Sequence, residues 1–75
     1  MPKIPIVSGK EAIQAFKKLG FVVDRQKGSH VILKKVTPHG VIGCVIPMHK
    51  EIDPYTLRSA LRQAGVSVDT FQKAV

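Results

Sequence analysis

The sequence predicts an α+β fold of two layers, with two helices packed on one face of a three-stranded antiparallel sheet in the order α-β-β-β-α plus a short C-terminal helix. Three observations predict it. Two segments carry a helix-capping signal followed by an apolar stripe at helical spacing. Between them lie three β-branched runs separated by glycine or proline turns. The connections between those runs are only a few residues long, which makes successive strands antiparallel neighbours. A chain of 75 residues has room for one domain, residues 1–75. Such a chain buries only about 60 to 65% of its unfolded surface, so its core must be small and two-layered.

The first helix opens at Ser8. Ser8-Gly9-Lys10-Glu11 has the S-x-x-E form of a capping box, in which the Ser8 hydroxyl accepts from a free backbone N–H and the Glu11 carboxylate accepts from that of Ser8. Ala12, Ile13, Phe16 and Leu19 then make one apolar stripe while Lys10, Gln14, Lys17 and Lys18 face water. Gly20 takes the left-handed conformation that ends the helix, and Lys17 and Lys18 complement its dipole. Phe21 to Arg25 reads as the first strand, Gln26-Lys27-Gly28 as a turn, and Ser29 to Lys35 as the second strand. Alternation sends Val31 and Leu33 to the covered face, and His30, Ile32 and Lys34 to the open one, with His30 and Lys34 expected together at about 7 Å. Thr37-Pro38-His39-Gly40 is a second turn, followed by a third strand from Val41 to Ile46. Its nearly unbroken apolar character predicts the central or best-covered position in the sheet. Asp53-Pro54 is an N-cap followed by proline at the first helical position. Leu57, Ala60, Leu61 and Ala64 form the inward stripe of the second helix, Arg58 and Arg62 lie on its polar side, and Gly65 closes it. Ser67 caps a last short turn that folds Phe71 back on the core.

Twelve Lys and Arg against five Asp and Glu leave a formal charge of +7. So large an excess on so small a surface points to a polyanion, with nucleic acid ahead of anionic membrane because neither helix combines a basic face with large aromatic anchors. Composition does not separate RNA from DNA. The longest apolar run, Val41 to Ile46, is far too short to cross a bilayer. The lead-in from Met1 to Val7 has no apolar signal core or small-residue cleavage site, so a cytoplasmic protein is expected. Cys44 is the one cysteine; it has no partner for an internal disulfide and reads as a small core hydrophobe. Two histidines alone do not make a metal site, and their spacing with Asp24, Glu51 and Asp53 fits no hydrolytic metal motif; no cofactor is expected.

Chemistry concentrates around Gly28-Ser29-His30. Imidazole has an unperturbed pKa of about 6.5 and so gives or takes a proton near neutral pH. Placed after a turn glycine and followed by lysines, it has the parts for work on a phosphodiester. Lys27, Lys34 and the backbone N–H groups around Gly28 and Ser29 are candidate phosphate ligands, although solvated surface charge explains the lysines equally and a turn requirement explains Gly28 equally. His49 follows the third strand near the second helix's N-terminus. It is either an acid or phosphate ligand or a loop residue that fixes the turn. His39, at a hairpin tip, has no role.

Three blocks, Lys27-Gly28-Ser29-His30, Val45 to Glu51, and Thr56 to Gly65, resemble the HicA family of mRNA interferase toxins in order and spacing, over nearly the whole chain. The resemblance implies a double-stranded-RNA-binding-domain-like fold, endoribonuclease activity on mRNA with the catalytic histidine at His30, and neutralisation by a HicB antitoxin covering the His30 face. Residue chemistry supplies a metal-free route, in which the ribose 2′-OH is the nucleophile and His30 its proton acceptor. A non-catalytic RNA-binding module explains the charge and fold equally, and a protein-interaction domain with an incidental basic surface is a third possibility.

Overall fold

The computed structural model describes residues 3–75; Met1 and Pro2, at the head of the expected lead-in, lie outside the described residues. Its elements run α1 (Gly9–Lys18), β1 (Val22–Lys27), β2 (His30–Thr37), β3 (Gly40–Pro47), α2 (Pro54–Ala64) and α3 (Val68–Ala74). The expected order is therefore present, including the short C-terminal helix.

The capping residues act as the sequence predicts. The Glu11 N–H donates to Ser8 Oγ at 3.0 Å and the Ser8 N–H donates to Glu11 Oε1 at 2.9 Å, closing both halves of the box. The Ser8 backbone donor, and then its hydroxyl, hold the Glu11 carboxyl below the usual carboxylate range. At the other end of α1, Lys35 Nζ donates to the Leu19 carbonyl at 2.9 Å and lies 5.8 Å from the centre of the Phe21 ring. A β2 side chain thus satisfies an orphan carbonyl of α1 and ties helix to sheet. Asp53 caps α2 by accepting from the Tyr55 N–H at 2.7 Å, and Gly65 ends it in the left-handed region at φ 68°.

The sheet order is β1-β2-β3, both pairs antiparallel. The central strand is β2, and β3 forms an edge, which corrects the expected central position of the third strand. Val41 and Val45 on β3 are exposed while Cys44 and Ile46 are buried, so only one face of this apolar run is covered. β1 extends to Lys27, and a register shift between Val23 and Arg25 marks a bulge at Asp24. The first turn is accordingly Gly28-Ser29, shorter than the three residues expected.

All three helices contribute to one core on the face carrying Val31, Leu33, Cys44 and Ile46. Phe16 of α1 sits at its centre, its ring 5.2 Å from that of Phe21 and 5.3 Å from that of Phe71 in α3. Phe71 does fold back as expected. Among the described residues no polar or charged side chain is buried and no helix is long and apolar enough to cross a membrane.

Candidate functional site

His30 is the first residue of β2, and the turn before it fixes its place. Gly28 has φ 58°, a value glycine adopts without a Cβ clash and one that a type II′ hairpin requires at its first central position. The Gln26 side-chain amide donates to the Gly28 carbonyl at 3.0 Å, and the Met48 N–H donates to the Ser29 carbonyl at 2.6 Å. The turn is fastened on both sides. His30 is consequently registered between Lys27 of β1 and Pro47 of β3.

Its side chain is exposed and alternates away from buried Val31 and Leu33, as predicted. The structure adds a wall. His30 lines a groove of about 260 Å³ with Val45, Pro47 and His49 on the β3 side and Thr56, Ser59, Ala60 and Gln63 on α2. The α2 residues recur at i, i+3, i+4 and i+7, one stripe of the helix surface. Two imidazoles, two hydroxyls and a carboxamide therefore share one concave site, which can accept and donate protons around a bound polar group.

His49 is held through its main chain. Its carbonyl accepts from the Gly9 N–H at 2.9 Å. Gly9 is buried at the first position of α1, where a Cβ would overlap the Pro47 carbonyl oxygen and stand 2.9 Å from Met48 Cα. Only glycine allows α1 this close to the segment that carries His49.

The other sequence candidates divide. Lys27 is exposed directly across from His30, and among the described residues it joins no ion pair. Lys34 does share the open face, but four residues of strand span about 13 Å rather than the expected 7 Å. It also pairs with Asp24 at 3.1 Å. Ser29 lies in the turn beside the groove, and a Cβ at Gly28 would meet nothing within 4 Å. Turn geometry alone accounts for that glycine. His39 lies at the opposite hairpin, away from the groove. Cys44 is buried, and desolvation pushes its thiol up to about 11, as befits a core residue. Among the described residues, no three His, Cys, Asp or Glu gather as metal ligands would.

Sequence reasoning missed Thr56, Ser59 and Gln63, although their polar stripe beside the apolar one on α2 was a usable signal. It also missed Gly9, whose presence at a helical position that favours better helix formers was the clue.

Fold and groove together define a small basic α+β protein with two imidazoles lining one groove beside α2. Its family is more specific: the model of the HicA toxin of bacterial toxin–antitoxin systems matches residues 9–66, and the chain belongs to that family. Membership makes it a toxin of such a system and implies an antitoxin partner. The matched span contains every residue of the groove, His30 and His49 among them. No curated protein matches the chain.

Proposed function

We propose that this toxin is a metal-independent endoribonuclease acting on mRNA in the cytoplasm, with the groove between β3 and α2 as its cutting centre. The observation that carries the reading is that His30 and His49, 19 positions apart in sequence, line the same groove. His30 accepts the proton of a ribose 2′-OH; the 2′-oxygen forms a bond to phosphorus and the bond to the 5′-oxygen breaks. His49 donates the proton that the leaving 5′-oxygen takes. Lys27 and the N–H groups of the Gly28-Ser29 turn neutralise the phosphate oxygens, and the hydroxyls of Thr56 and Ser59 with the Gln63 amide orient the sugar. Lys34, farther along the strand, meets a neighbouring phosphate. The products are a 2′,3′-cyclic phosphate and a 5′-hydroxyl.

The antitoxin, on this reading, covers the His30 face. That face exposes Val36, Val41 and Val45 around Ile32, with Arg25, Lys27 and Lys34 among them, an apolar centre in a cationic surround. An acidic protein with an apolar patch complements it, and the charge speeds its arrival. The enzymatic reading is tested by incubating the purified toxin with single-stranded RNA in EDTA and analysing the fragment ends. Cyclic-phosphate ends are expected, with cleavage lost where a 2′-deoxy residue occupies the cut site. RNA that stays intact in EDTA and is cut only with added divalent metal would refute the mechanism, and RNA that is bound but never cut would favour the non-catalytic binding module.

A further inference from the structure

Four aromatic residues are present, and one is treated differently from the rest. Phe16, Phe21 and Phe71 are buried, whereas Tyr55 is 85% exposed in the first turn of α2. Its backbone is fixed by the Asp53 cap, so the ring stands in solvent on a rigid support. Arg58 and Arg62 follow at i+3 and i+7, and the three side chains with Pro54 line a second cleft of about 360 Å³. These are two of only three arginines; the remaining nine cations are lysines. Among the described residues neither arginine joins an ion pair, and α2 contains no acidic residue. A ring flanked by two unpaired guanidinium groups suits an unpaired base between phosphates. Guanidinium binds phosphate bidentately or stacks on a base, which an ammonium group does not.

The position of the cleft ties it to the groove. Tyr55, Arg58 and Arg62 each precede by one residue the groove-lining Thr56, Ser59 and Gln63. One residue is a rotation of about 100° around the helix, and on a surface of radius about 5 Å the two stripes lie roughly 8 Å apart. A strand leaving the groove across α2 would meet the tyrosine about one stripe away.

We propose that Tyr55, Arg58 and Arg62 form a second RNA subsite, in which the ring stacks on an unpaired base and the arginines hold the adjoining phosphates, anchoring the strand beside the scissile bond. The proposal rests on the reading of this toxin as an RNA-cleaving enzyme and adds the requirement that the flanking segment be single-stranded, because bases in a duplex are stacked on both faces and out of reach.

The test is titration of the full chain and its variants with a fluorescent single-stranded 2′-O-methyl RNA of mixed sequence, which cannot be cleaved, at several salt concentrations. Tyr55→Ala should weaken binding on the order of tenfold with an unchanged salt slope, and Tyr55→Phe should bind as wild type. Arg58→Ala with Arg62→Ala should reduce the slope by about 1.4, at about 0.7 per lost phosphate contact. All three side chains are exposed, so melting temperatures should not move, and a variant that melts early is replaced by the milder Arg58→Lys with Arg62→Lys, for which a retained slope with weaker affinity is expected. Variants that bind like a wild type which itself binds RNA would overturn the subsite, leaving the enzymatic reading intact and this face to a protein partner. Loss in the arginine variant without loss in Tyr55→Ala would also overturn it, reducing the effect to general charge. A wild type with no affinity for the oligonucleotide would sink subsite and enzymatic reading together.

Discussion

Replacing Gly9 by alanine sets two physical effects against each other with opposite signs. Helix propensity favours alanine over glycine by about 1 kcal/mol inside a helix, so local reasoning makes Gly9→Ala stabilising. Packing says the reverse. The new methyl group overlaps the Pro47 carbonyl oxygen and approaches Met48 Cα to 2.9 Å, and these are backbone atoms that cannot rotate away. Forcing an extra carbon into a filled site costs about 1 to 3 kcal/mol. Displacing the helix also stretches the bond from the Gly9 N–H to the His49 carbonyl, now 2.9 Å, and such a bond contributes about 1 kcal/mol. The sum is a net loss of about 1 to 3 kcal/mol, and in a domain of this size each kcal/mol lowers the melting temperature by about 4 to 8 °C. Thermal unfolding followed by circular dichroism measures it, with Gln14→Ala on the exposed side of α1 as a control expected to change little. RNA cleavage by Gly9→Ala, at a temperature where it is folded, should also fall, because the segment bearing His49 shifts. A Gly9→Ala protein that melts at or above the wild type would show that propensity wins and that α1 does not clamp that segment.

Two further predictions concern the core. Leu33, fully buried on the central strand, should lose about 2 to 5 kcal/mol on truncation to alanine, whereas Val36→Ala, three residues along on the same strand and 74% exposed, should stay within about 0.5 kcal/mol; chemical denaturation of both variants checks the contrast. Burial raises the Cys44 thiol from 9.0 to about 11. Between those values the unfolded chain releases the thiol proton while the folded chain keeps it, so the unfolded state binds fewer protons and stability falls as pH rises. The contribution is at most about 2 to 3 kcal/mol by pH 11. Melting curves of wild type and Cys44→Ala across this window should converge or cross as the wild type loses stability faster, and parallel curves would contradict the account.

Much of the fold was legible because local chemistry and tertiary packing agree here. The Ser8–Glu11 box, the Asp53-Pro54 start and the Gly65 stop are determined within a few residues, and the structure keeps all three. The run from Val41 to Ile46 misled because an apolar stretch resembles a strand covered on both faces, while here Val41 and Val45 remain open to solvent at the sheet edge. The bulge at Asp24 depends on how β1 meets β2 and leaves no local mark. For the candidate site, the exposure of His30 on the open face was legible from strand alternation, whereas its turn proved to be Gly28-Ser29 and not Gln26-Lys27-Gly28. The partnership of His30 with His49, Thr56, Ser59 and Gln63 was not legible, since only the packing of α2 beside the β3 edge assembles them.

The central claim is that the His30 imidazole does chemistry and does not hold the fold together. Because it is exposed at the mouth of the groove, His30→Ala should change stability by no more than about 0.5 kcal/mol. Single-turnover cleavage of RNA should nevertheless fall on the order of 10² to 10⁴-fold while RNA binding persists. Melting temperature and cleavage rate measured on the same purified His30→Ala protein test the claim most directly: a well-folded variant that no longer cuts is the result expected, and a well-folded variant that cuts at the wild-type rate would contradict it.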